Sequence, residues 1–190
     1  PILTHPIPII MRPYNLFLFI LIIVGINISC DSATEQTVME NPVDATQRVD
    51  APNFTLNSLD GDEVTLSDLR GNVIYLFFFG SNCPHCLQNG PVTENVIFQR
   101  FKDEPDFLAF GLDTWNTSAS SVIRFQSTTG ITYPMLLQAR ETLRDYYGNT
   151  SDYDRSVVID KEGKIAYRGT VFVNRDADAV ANIITQELSN

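Results

Sequence analysis

A chain of 190 residues with 44% hydrophobic and 11% aromatic side chains has enough apolar material for one packed domain, which excludes disorder over most of its length. Arg12 is the single Lys or Arg within residues 1–29, which contain no acid, so residues 30–190 carry 12 basic against 23 acidic side chains. A surface that acidic excludes electrostatic binding to nucleic acid or to anionic lipid.

In chain order the first feature is the apolar run from Leu16 to Ile26, preceded by Met11-Arg12. It is shorter than the ~20 residues of a spanning helix and matches the apolar region of an export signal. Translation is expected to start at Met11, with residues 1–29 forming an upstream extension and signal peptide. Ser29-Cys30 resembles the cleavage box of bacterial lipoproteins, although Asn27 stands where that box usually has an aliphatic residue. The resemblance implies that Cys30 is lipidated and becomes the mature N-terminus. Residues 30–50 are mostly polar and aperiodic, which predicts a flexible tether. The folded domain is expected over 51–190.

Phe54-Thr55-Leu56 and Val64-Thr65-Leu66 flank Asp60-Gly61 and predict a β-hairpin. Val73 to Phe79 is a continuous apolar run, which predicts a strand buried on both faces. Directly after it stands Cys83-Pro84-His85-Cys86. A helix beginning near Cys83 places the first sulfur among unpaired backbone N–H groups, where a thiolate is favoured, with His85 adding positive charge. Cys86, one turn further in, would attack a mixed disulfide formed on Cys83.

Val92, Val96, Ile97 and Phe101 continue the helical stripe, with Gly90-Pro91 as a kink. Residues 106–112 read as a second strand, and Ser118 caps a helix that stops at Gly130. Residues 131–137 form a third extended segment, and residues 141–147 a short helix ended by Gly148. A hairpin follows, residues 156–159 with 165–167, and Val180, Ile183, Ile184 and Leu188 mark a last amphipathic helix. This order predicts an α/β fold, a central mixed sheet flanked by helices, with an N-terminal hairpin extension.

Between Ala51 and Leu188 the chain resembles thioredoxin-fold redoxins of the membrane-anchored TlpA/ResA type, with peroxiredoxins as more distant relatives. The resemblance rests on residues 51–56, residues 64–71, the Cys83 to Cys86 motif and residues 158–165. The Pro84-His85 dipeptide is similar to that of oxidising DsbA-type proteins. The resemblance implies a thiol-disulfide oxidoreductase with catalytic Cys83 and Cys86, and with Pro84 and His85 tuning the thiol. Its redox group would be the Cys83–Cys86 disulfide, without an organic cofactor or metal. Expected partners are protein or small-molecule thiols and disulfides and a membrane or periplasmic redox protein; the expected location is the bacterial periplasm or envelope.

Three positions depart from that family. Where a proline in cis usually faces the cysteines, spacing back from Asp160 puts Asp154, followed by Arg155. Asp154→Pro is therefore expected to raise activity on generic disulfides if the backbone tolerates the cis bond, and Arg155 pairs with Asp154, guides an acidic partner or is a plain surface charge. Asn89 occupies the position of a frequent glutamate three residues beyond the second cysteine, and Phe77 that of thioredoxin's buried acid. Rival readings are a copper- or zinc-binding or client-holding module built on Cys83, Cys86, His85 and Asp154, and a peroxiredoxin-like thiol peroxidase. Trp115, after the second strand, either flanks the site or packs in the core or at the surface.

Overall fold

The computed structural model of the protein describes residues 47–190. The signal-like segment, Cys30 and residues 30–46 of the expected tether lie outside the described residues.

Strands β1 (Thr55–Asn57) and β2 (Glu63–Thr65) pair antiparallel, Thr55 opposite Thr65, on either side of the Asp60-Gly61 turn. The main sheet has the order β5-β4-β3-β6-β7, with β3 (Val73–Phe79), β4 (Phe107–Asp113), β5 (Met135–Leu136), β6 (Arg155–Ile159) and β7 (Ile165–Arg168). β3 runs parallel to β4 and antiparallel to β6, so the sheet is mixed. Every residue of β3 is buried, as its unbroken apolar sequence requires of a central strand covered on both faces.

Alternation along β3 divides the core in two. Val73, Tyr75, Phe77 and Phe79 face the side covered by helices α1 (Pro84–Val92), α3 (Ala119–Thr129) and α5 (Ala177–Leu188), where Phe79 stacks on Phe125 at 4.2 Å. Ile74, Leu76 and Phe78 face the side covered by α4 (Arg140–Tyr147) and the β1–β2 hairpin, where Phe78 meets Tyr146 at 5.5 Å. Ser118 caps α3 by accepting the Ser121 N–H, and Gly130 ends that helix in the left-handed conformation.

The kink expected at Gly90-Pro91 is a change of helical pitch. Pro91 has no N–H for the preceding turn, and immediately beyond α1 the chain widens into a π-helical stretch, Thr93–Phe98, before the single turn α2 (Gln99–Phe101). The extended segment expected over 131–137 shrinks to the two residues of β5. Pro134 can only accept in the ladder, taking the Gly111 N–H at 2.9 Å, while Ile131 and Tyr133 fill the core from a loop.

Arg48 to Asp50, which the sequence assigns to the tether, lie against the domain. Arg48 reaches Asp160 at 3.0 Å and Glu187 at 2.8 Å, and Asp50 forms a β-bridge with Lys164. Both acids are nearly buried, so the Arg48 guanidinium is the charge that compensates them.

Candidate active site

The site is built where β3 runs into α1. Cys83 is the N-cap of α1 and half-exposed; Pro84 occupies the first helical turn, where its missing N–H costs nothing. The Cys83 Sγ accepts the backbone N–H of Cys86 at 3.4 Å. Cys86, with no exposed surface, accepts the Gly80 N–H on its own Sγ at 3.4 Å. Burial, reinforced by the neighbouring Cys83 sulfur, pushes the Cys86 thiol well above its ordinary range. One sulfur faces solvent and the other is held protonated behind it.

Gly80 is the glycine on which the junction depends. A Cβ there would collide with the Trp115 indole, so Trp115 does flank the site, closing the end of β3 and meeting Tyr153 edge-on at 5.4 Å. His85 is exposed; its ring lies 4.6 Å from Phe172, and the two border a shallow cleft of about 190 Å³ shared with Gln88, Asn89, Asn174 and Arg175. The Arg175 guanidinium lies over the Phe172 ring, 4.6 Å from its centre. Phe172 was not foreseen from sequence, because its backbone has φ 75° in a loop with no motif.

Asp154 sits beside the cysteines, as its spacing from Asp160 suggests. Its carboxylate takes the Asn89 side-chain N–H at 2.5 Å, its N–H donates to Phe78 O at 2.9 Å, and its carbonyl accepts the Phe172 N–H at 2.9 Å. Asp154 is 1% exposed, and burial raises its pKa against the opposing pull of Asn89, Val173 N–H and His85. No peptide bond among the described residues is cis, and Asp154 has φ 68°, a left-handed conformation that aspartate tolerates better than most side chains. The expectation that Asp154→Pro would raise activity fails on this geometry, because proline fixes φ near −65° and has no N–H for Phe78.

Arg155 does not face the motif. Within β6 Ser156 points to the α1 side, where its hydroxyl meets that of Tyr75 at 2.9 Å, so Arg155 before it points to the α4 side. There its guanidinium covers the Tyr147 ring at 4.4 Å and reaches Asp152, not Asp154, at 3.4 Å. Phe77 stacks with Phe79 in the core at 5.7 Å. Among the described residues no cluster of three or more His, Cys, Asp or Glu could hold a metal ion.

A second buried acid lies behind the first. Asp176, at the start of α5, accepts the Tyr167 hydroxyl at 3.0 Å, and burial pushes its pKa up to about 6, with Asp154 adding to the rise. An acid raised on folding stabilises the fold in its protonated form; that contribution is complete below pH ~4 and is lost as pH rises through about 6. Asp176→Asn should therefore be more stable than the parent at pH 7 by on the order of 2–3 kcal/mol, with the gap closing by pH 4. Urea unfolding at the two pH values reads this directly. A gap that is the same at both would show that Asp176 does not titrate between them.

This fold, with a dithiol at the N-terminus of the helix after the central strand, defines a thioredoxin-like thiol-disulfide oxidoreductase. The Redoxin family profile matches residues 46–184, and the chain belongs to that family. Among its relatives, the thioredoxin-like protein YneN of Bacillus subtilis is 27% identical over 130 residues, 68% of this chain and 75% of that protein. The thiol-disulfide oxidoreductase ResA of the same organism is 30% identical over 117 residues, 61% of this chain and 63% of that protein. Among solved structures, a candidate protein disulfide isomerase from Bacteroides thetaiotaomicron is 33% identical with a TM-score of 0.69, covering 74% of this chain and 89% of that one.

Proposed function

We propose that the protein exchanges disulfides with thiol or disulfide partners through Cys83 and Cys86, on the outer side of a bacterial membrane to which a lipid on Cys30 tethers it. The observation that carries the exchange is the asymmetry of the pair: Cys83 half-exposed at the helix N-cap, Cys86 fully buried behind its sulfur. The attacking species in such chemistry is the thiolate of the accessible sulfur. Cys83 attacks one sulfur of a substrate disulfide, which leaves a mixed disulfide and releases a thiolate. Cys86 then attacks Cys83 Sγ, releases the second thiolate and leaves Cys83–Cys86 oxidised. Two electrons pass to the substrate, and a reduced dithiol with a lower potential runs the same steps backwards, attacking the Cys83–Cys86 disulfide and leaving as a disulfide itself. Neither direction requires an organic cofactor.

Pro84 and His85 occupy the turn between the sulfurs, and the cleft beside His85 offers Phe172 and Arg175 to an incoming partner. Replacing Cys86 with serine removes the resolving thiol. That variant should accumulate a mixed disulfide on Cys83 with a model peptide disulfide, visible by mass spectrometry and reversed by reductant. An adduct absent under conditions where Cys83 is reduced would defeat the assignment of the nucleophile.

The lipid anchor rests on the apolar run from Leu16 to Ile26 and on Ser29-Cys30 after it. No helix among the described residues is long and apolar enough to cross a membrane. In a bacterial host, the membrane-bound form should have an intact mass that starts at Cys30 and includes acyl chains. A mass that retains residues 11–29, or an unmodified Cys30, would remove the anchor from the proposal.

A further inference from the structure

We propose that the cleft beside the dithiol selects disulfides that carry a carboxylate next to the reacting sulfurs, and that Arg175 is the residue that reads it. This rests on the exchange reading above and names the substrate class within it. The cleft runs along α1 from the motif. His85, Gln88 and Asn89, spaced i, i+3 and i+4, line one wall, and Phe172, Asn174 and Arg175 line the other. His85 stands two residues after Cys83, so a group that enters the cleft lies roughly one helical turn from the nucleophile. That is the reach of a side chain neighbouring the cysteine under attack.

The chemistry of the cleft is one-sided. No acid borders it, although the chain carries 23 acidic against 13 basic side chains. Every polar side chain in its walls is able to donate a hydrogen bond. Asn89 turns its amide inward to Asp154, and Asp176, the acid next to Arg175 in the chain, is buried with its carboxylate on the Tyr167 hydroxyl. Gln88, Asn174 and Arg175 are exposed. On a surface that otherwise repels anions, this cleft admits one.

Arg175 is held ready for a carboxylate. Its guanidinium lies 4.6 Å from the centre of the Phe172 ring, its backbone N–H donates to Phe172 O at 2.9 Å, and no carboxylate among the described residues pairs with it. A guanidinium stacked on a ring keeps its N–H edges free, in the planar fork that meets a carboxylate with two bonds. Phe172 itself has φ 75°, a conformation that bulky side chains rarely adopt, and its N–H is committed to Asp154 O at 2.9 Å. Strain of this kind survives where the surrounding structure imposes it, and it gathers at ligand clamps. Here it brings one aromatic ring against both His85 and Arg175.

The test measures kcat/KM of the reduced protein for two peptide disulfides that differ only in Glu or Gln beside the cysteine, and for glutathione disulfide against its carboxyl-amidated form. The parent should prefer the acidic member about five-fold at low salt, the scale of one Arg–carboxylate pair that stays partly in water, and the preference should shrink as salt is added. Arg175→Gln should bring the ratio to about one, and Arg175→Glu should invert it. Arg100→Gln removes the same charge beside Thr185, near the other end of α5, and should keep the parental ratio. A preference in the peptide pair assigns the carboxylate to a protein client, and one in the glutathione pair alone assigns it to a small disulfide. No preference in either pair, a preference that survives Arg175→Gln, or one lost equally in Arg100→Gln would overturn the proposal. Failure of the parent to reduce any of the four disulfides would instead defeat the exchange reading itself.

Discussion

Cys83→Ser is expected to bring disulfide exchange down to the rate of the uncatalysed reaction, roughly three orders of magnitude or more below the parent, while leaving the fold intact. The fold should survive because Cys83 caps the Cys86 N–H and otherwise packs only at the edge of the core, and serine, close in size, is itself a preferred N-cap residue. The activity should not survive, because the remaining sulfur has no exposed surface and its thiol is held protonated by burial. Turnover with a peptide disulfide and unfolding in urea, measured on the same preparation, separate the two effects. Residual exchange near the parental rate would mean that Cys86 is reached directly and that the order of the two sulfurs is wrong.

Asp154→Pro is expected to destabilise the domain by roughly 3 kcal/mol or more, a large share of the 5–15 kcal/mol that holds an ordinary domain together. Three losses coincide at this position. The backbone at φ 68° has to be rebuilt, the N–H that Phe78 O accepts disappears, and Asn89, 5% exposed, loses its partner. The denaturation midpoint should fall sharply, and exchange should fall with it. A variant as stable as the parent and faster on generic disulfides would show that this loop accepts the proline geometry of related redoxins and that its left-handed turn is dispensable.

What the sequence made legible was local. The unbroken apolar run of β3, the Asp60-Gly61 turn, the Ser118 cap with its Gly130 stop, and the cysteine motif at a strand-to-helix junction each reside in a few adjacent residues, where propensity and periodicity act directly. The spacing back from Asp160 also located Asp154. The direction in which Arg155 points was not legible, because one residue of strand alternation decides it, and the alternation is fixed by pairing with Phe78 across the sheet.

The polar partners of the site were hidden for a related reason. Asn89 and Asp154 lie 65 residues apart in the chain, and only the docking of β6 beside α1 turns an apparent loss of the helix acid into a hydrogen-bonded pair. Likewise Asp176 carries no motif. Its raised pKa comes from burial, with Asp154 adding to it against the opposing pull of the Tyr167 hydroxyl, which is a property of packing. The same holds for Phe172, which reaches His85 from a loop whose left-handed backbone no residue pattern announces.

Whether Cys83 and Cys86 form one redox couple is read by a redox titration. The purified domain would be equilibrated in buffers of graded glutathione potential, quenched with acid, alkylated and mapped by mass spectrometry. One redox couple gives a single two-electron transition in which both cysteines lose alkylation together and one peptide carries the Cys83–Cys86 disulfide. Two independent transitions, or a Cys83 that ends as a stable glutathione adduct while Cys86 stays reduced throughout, would contradict it.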